Sequence, residues 1–133
     1  MIERLLLLMA FTALVLLIMT VLRRRRQQVL AAAEAAGLPD EWRNPGTAQV
    51  LAFSLPGCRD CKTRQAPVLN RLSALPGVTI RSVPADAHPD LVDRFGIMTV
   101  PATLVVGADG RVRALNQGFA DLPTLQRQLG LAE

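Results

Sequence analysis

Histidine occurs once in this chain, at His88, tyrosine not at all, and cysteine only twice, at Cys58 and Cys61. A structural zinc site needs four ligands, and beyond the two thiols only one histidine and carboxylates remain, so a metal centre is excluded unless two chains share it. Covalent c-type haem requires a histidine directly after the second cysteine, where Lys62 stands, and is excluded. Aromatic residues make up 4% of the chain, and no basic stripe is interleaved with them. That removes nucleic-acid surfaces built on stacking and phosphate contacts. Internal repeats are absent, and the only biased tract is a run of four arginines.

Charge is missing altogether from Leu5 to Leu22, an 18-residue stretch reading LLLLMAFTALVLLIMTVL. At 1.5 Å rise per residue it covers about 27 Å, roughly one hydrocarbon core, and it predicts a single transmembrane helix. The alternative is a cleaved signal peptide. Against it stand the length of the apolar core, the weak preceding region with only Glu3 and Arg4, and Arg23–Arg26 where small cleavage-site residues belong. Five basic residues follow the span closely (Arg23–Arg26 and Arg43) and one, Arg4, precedes it. The positive-inside rule then places the C-terminal domain in the cytoplasm.

The formal charge of +4 and pI near 10.4 belong to that basic flank. Residues 27–133 hold ten Lys/Arg and ten Asp/Glu, so the domain itself is neutral, and nucleic acid is not an expected partner. The flank suits topogenesis and attraction to anionic headgroups. The mean hydropathy of +0.28 reflects the apolar span on one small domain.

Along the chain, residues 1–26 are the anchor with its basic flank, 27–46 a helical stalk and linker, and 47–133 the globular domain. Gln27–Ala36 is rich in helix formers and stops at Gly37, which extends the membrane helix by about two and a half turns. Pro39–Gly46 is turn-forming and charged. Trp42 within it is compatible with packing on the domain, with an interfacial position, or with neither. Gln49–Leu55 reads as a buried strand, Cys58–Leu75 as a helix bent at Pro67, Val78–Val83 as a second strand, and Pro89–Phe95 as a short helix. Ala102–Val106 and Arg111–Asn116 form a hairpin around Gly107–Gly110, and a last amphipathic helix covers Ala120–Leu129. The first two strands are joined by a helical crossover and are therefore expected to be parallel, in a mixed sheet with helices on both faces.

The two thiols, three residues apart in Cys58-Arg59-Asp60-Cys61, stand where a strand gives way to a helix. That spacing lets them face each other, and the unpaired N–H groups of a helix start favour a thiolate on the first. Arg59 favours that thiolate further and Asp60 opposes it, while Lys62 is more ordinarily a solvated residue.

With Thr99-Val100-Pro101-Ala102-Thr103 ahead of the hairpin, this pair resembles the thioredoxin family over roughly Thr47–Leu131. The resemblance implies a minimal thioredoxin-like α/β fold, β-α-β-α-β-β-α with a four-stranded mixed sheet, preceded here by one transmembrane helix. It implies a protein dithiol–disulfide oxidoreductase that works through a mixed disulfide. Cys58 would be the exposed nucleophile and Cys61 the resolving thiol. Pro101 would follow a cis peptide at Val100, whose backbone pairs with an extended substrate segment. Phe53 would be a core aromatic, Asp86 a family acidic position, and Gly118 the glycine before the last helix. No cofactor or metal is expected, because the cysteine pair itself carries the electrons. The partners are protein disulfides or dithiols, plus the membrane through residues 5–22, and the domain is expected to be monomeric.

Four features depart from the family pattern. Gly57 stands where tryptophan usually precedes the first cysteine, and Ala52 where a buried acid usually helps deprotonate the resolving thiol. Pro67 falls six residues after Cys61 rather than five. Little sequence before Thr47 is left for the N-terminal strand and helix of the full-length fold. Gly57 and Ala52 keep a second reading open, a redox-sensing or binding module with weak catalysis, and an inverted topology would give a third, an envelope-facing thiol reductant.

Overall fold

The computed structural model describes residues 1–131; residues 132 and 133, the end of the expected domain, lie outside the described residues. Its longest element is helix α1, Ile2–Ala36, one continuous run through the apolar stretch, the arginines and the alanine-rich segment. Nothing in that run breaks a helix, and it stops at Gly37, whose φ of +67° suits glycine. By length and composition α1 can cross a membrane, and none of its most apolar 18-residue window is buried against the rest of the chain.

A four-stranded mixed sheet follows, in the spatial order β2-β1-β3-β4. Strand β1, Ala48–Ser54, is central and buried on both faces, as its unbroken apolar run Val50–Phe53 predicts. It pairs in parallel with β2, Val78–Pro84, and antiparallel with β3, Ala102–Val106, with Ala52 opposite both Ser82 and Thr103. Strand β4, Val112–Gln117, pairs antiparallel with β3, with a register shift that leaves Arg113 bulged at the far end. The hairpin turn is closed by Gly107 N–H to Arg111 O and Gly110 N–H to Gly107 O, both at 2.9 Å.

The strand period of two divides the core. On one face Val50, Val105 and Ala114 meet helices α2, Ala66–Ser73, and α4, Leu122–Gln128, through Leu72, Leu125 and Leu129. On the other, Leu51, Phe53 and Leu104 meet helix α3, Pro89–Phe95, through Leu91 and Phe95. Phe53 is thus the expected core aromatic.

The stalk and linker, expected to stand outside the domain, complete that second face. Ala33, Leu38 and Trp42 are buried in it, and Leu30 and Ala36 pack against it. Leu38 precedes and Trp42 ends a single 3-10 turn, Asp40–Trp42, and Gln49 holds Trp42 O through its side-chain N–H at 2.9 Å. Arg94 donates to the exposed carbonyls of Ala36 and Gly37 at the end of α1. The turn-forming, charged appearance of Pro39–Gly46 concealed this, because only two residues in and beside it, Leu38 and Trp42, carry the burial.

Candidate functional site

Strand β1 ends at Ser54, and the chain turns through Pro56-Gly57 into Cys58, which sits half-buried ahead of a helix beginning at Arg59. Cys61, one turn on, is 8% exposed. The two sulfurs are joined in a disulfide with the Cα atoms 5.3 Å apart. The Cys61 N–H also points at Cys58 Sγ, 3.1 Å away, as an unpaired helix-start donor does. On reduction this donor lies ready to stabilise a negative sulfur at Cys58.

The extra residue between Cys61 and Pro67 is absorbed by a π turn, Cys61–Gln65, in which the Ala66 N–H reaches back five residues to Cys61 O. Such a bulge accommodates one inserted residue without disturbing the helix on either side. Pro67 therefore lies in the first turn of α2, where a missing N–H costs little, so the irregularity in this helix is the π turn before Pro67 and not the proline itself. The insertion also turns Gln65 inward.

Around the dithiol, Arg59, Asp60, Lys62 and Arg64 are exposed. Asp60 pairs with Arg64 at 3.9 Å, a half-exposed contact of little energetic weight. Gly57 has open space where a side chain would project, so the shielding aromatic that it replaces leaves the approach to Cys58 uncovered. Beneath Cys61 lies a cleft of about 490 Å³ whose walls include Ala52, Ser82, Lys62 and Pro101. Ala52 puts only a methyl group there.

The Val100–Pro101 peptide is cis, and Pro101 is buried beside that cleft while Val100 is half-exposed. The structure thus brings Cys58, Cys61, Val100 and Pro101 to one end of the sheet. Asp86 is exposed in the turn after β2, and His88 packs edge-on against Trp42 with ring centroids 5.0 Å apart, away from the thiols. Met98, three residues before Pro101, is 90% exposed. Among the described residues no three metal-ligating side chains converge.

Three residues that sequence reasoning passed over hold the loops of this end. Gln117 accepts from the Met98 N–H at 2.8 Å and donates to Gly96 O at 2.7 Å, which clamps the approach to the cis proline. Gln65 holds Ala120 at both backbone groups. Phe119 lies under the Arg64 guanidinium, 4.3 Å from its ring centroid. The Gly118 N–H, donated to Pro101 O at 2.8 Å, ties these loops together. A polar residue facing a core is invisible to hydrophobic periodicity, and the six-residue spacing to Pro67 was the one available signal for Gln65.

A pair of thiols that closes and opens a disulfide at an accessible sheet end carries two electrons, and thiolate attack on another disulfide is the chemistry it supports. No protein-family model matches the chain. A thioredoxin from Chlamydia muridarum is 35% identical over 77 residues, which span 57% of this chain and 74% of that protein. Among solved structures, thioredoxin-2 of the malaria parasite superposes with a TM-score of 0.57 at 20% identity, covering 66% of this chain and 85% of its own. The Malassezia sympodialis thioredoxin gives 0.54 at 23% identity, covering 65% and 76%. With the sheet order and the dithiol already in place, the relative at 35% identity decides the matter: this chain belongs to the thioredoxin family and is a thiol–disulfide oxidoreductase.

Proposed function

We propose that this protein is a membrane-tethered protein disulfide reductase whose domain lies on the cytoplasmic side. The observation that carries the assignment of roles is the asymmetry of the two sulfurs. Cys58 is the more exposed and receives the Cys61 N–H at 3.1 Å, whereas Cys61 is buried. Cys58 is then the nucleophile that attacks a substrate disulfide, and Cys61 the thiol that resolves the mixed disulfide. Arg59, next to Cys58 in the chain, favours the developing thiolate, and Arg64 offsets Asp60. The half-exposed Val100 backbone beside the pair offers an edge on which an extended substrate segment can add as a strand.

The tether is α1, and Arg23–Arg26 after the span supports the cytoplasmic orientation. Reduction is the direction favoured in a compartment that keeps thiols reduced. Ala52 beneath Cys61 favours a second reading, a redox-sensing or binding module with slow turnover, because no carboxylate stands there to take the resolving proton.

The test is reduction of insulin disulfides by the full chain in detergent with a dithiol donor. The reductase reading expects turnover, its loss in Cys58→Ser, and an accumulating mixed disulfide in Cys61→Ser. An inert pair leaves the binding module. A reporter fused after Glu133 that is active only outside the cytoplasm overturns the orientation.

A further inference from the structure

Helix α1 fixes which end of the domain meets the membrane. Its last turns lie along β4 with opposite polarity. Arg26 and Val29 line a groove of about 790 Å³ that follows β4 from Arg113 to Gln117 and on to Phe119, while Glu34 and Gly37 line a second one with the Gly107–Gly110 turn at the other end of the sheet. Connectivity requires the same direction, since the chain passes from Gly37 into β1 at the sheet end remote from the thiols, where the Gly46 N–H meets Ala108 O at 3.3 Å. The membrane-proximal end of α1 therefore reaches the sheet end that carries Cys58 and Pro101.

Arg26 lies about 6 Å of helix rise beyond Leu22, the last residue of the apolar run, and the headgroup layer of one leaflet is itself about 5–8 Å thick. The dithiol end consequently stands at headgroup level. A groove and two contacts connect it to the helix flank: Phe119 lines the groove together with Arg26 and Val29, Arg64 covers Phe119, and Arg64 pairs with Asp60 inside the dithiol turn. The same end exposes Arg59, Lys62 and Arg64 together with Leu55, Met98 and Phe119. Basic and apolar groups side by side suit an anionic membrane surface.

We infer that the dithiol faces the bilayer, and that its substrates are disulfides held at the membrane surface in the juxtamembrane segments of membrane-embedded proteins. This rests on α1 as a membrane span and on Cys58 as the nucleophile. In a single turnover the Cys58 thiolate attacks one substrate sulfur, forming the mixed disulfide and releasing the first substrate thiolate. Cys61, as a thiolate, then attacks Cys58 Sγ, forming the Cys58–Cys61 disulfide and releasing the second. The substrate gains two electrons and then two protons, and the pair loses as many. A donor dithiol returns the pair to its reduced form.

The test uses the full chain in liposomes containing anionic lipid. A bimane probe is placed on Cys58 in Cys61→Ser, and in a second protein on residue 109 in Cys58→Ser/Cys61→Ser/Asp109→Cys. Lipids spin-labelled at the headgroup should quench the Cys58 probe several-fold more than the residue-109 probe; equal or reversed quenching overturns the inference. In parallel, single-turnover reduction is timed on a peptide disulfide displayed next to a transmembrane anchor and on the same peptide behind a long flexible spacer. A seven-residue helical insert between Arg26 and Gln27 raises the site by about 10 Å and turns it little. The insert should slow reduction of the anchored disulfide by about an order of magnitude and spare the spaced one. Unchanged reduction of the anchored disulfide overturns the inference. A chain that fails to co-float with liposomes overturns the membrane reading, and one whose reduced pair attacks neither peptide overturns the redox reading, each by its own signature.

Discussion

Gln65 and Ala120 are joined by two hydrogen bonds: Gln65 Nε2 donates to Ala120 O at 3.0 Å, and the Ala120 N–H donates back to Gln65 Oε1 at 2.9 Å. Both partners are buried, and the pair locks the loop before α4 to the π turn that carries Cys61. In Gln65→Ala each backbone group left unpaired costs about 1–3 kcal/mol, read from denaturant unfolding of the full chain in detergent. Gln65→Glu should cost at least as much, because it buries a carboxylate against the Ala120 carbonyl.

Trp42 contributes to the core from outside the expected domain. Its truncation in Trp42→Ala should cost about 3–5 kcal/mol by the same measurement, in line with other buried tryptophans. A fragment beginning at residue 27 should unfold cooperatively. One beginning at residue 47 lacks Ala33, Leu38 and Trp42 and should show a broad, weak transition. Equal stability of the two fragments would contradict the packing of the stalk.

Ala52 leaves the cleft under Cys61 without an acid. Ala52→Asp should speed resolution of the mixed disulfide formed at Cys58, seen as a shorter-lived intermediate in quenched-flow trapping. Because Ala52 is 7% exposed, the new carboxylate is also desolvated, and stability should drop by about 1–3 kcal/mol. A lifetime that does not change would show that proton removal from Cys61 does not limit turnover.

Asp121 caps α4 by accepting the Thr124 N–H at 2.9 Å. Hydrogen bonding from Thr124, side chain first and backbone second, holds the Asp121 carboxyl below its ordinary value of 3.8 in the folded chain, with Arg127 adding to it. A depressed folded pKa means that the cap's contribution is present above the ordinary value and is lost as pH falls through the lowered one. Acid titration of thermal stability should therefore show a smaller decline in Asp121→Asn, which keeps the acceptor but does not titrate.

Much of this architecture was legible in the chain. The strand around Phe53, the crossover, the Gly107–Gly110 hairpin and the Val100–Pro101 segment were marked by apolar runs and by glycine and proline, and the parallel first pair and the antiparallel hairpin follow from them. The rest turned on residues whose role is set by tertiary neighbours. Ala33 and Leu30 lie in an alanine-rich helix with no apolar stripe to distinguish a packed face from a solvated one. Gln49, Gln65 and Gln117 are polar residues that bind backbone, and nothing local separates such a glutamine from a surface one. The π turn was visible only as one residue too many before Pro67, and whether that residue shifts the bend or is absorbed depends on what Gln65 finds across the core.

The most direct test of the central claim is the reduction potential of the Cys58/Cys61 pair in the full chain, equilibrated in detergent against glutathione or dithiothreitol buffers. A value near −270 mV, the thioredoxin range, is the result expected of a cytoplasmic-side reductase, to order of magnitude about −250 to −290 mV. A value of about −120 to −180 mV would mark an oxidant or isomerase and contradict both the direction and the placement of the domain.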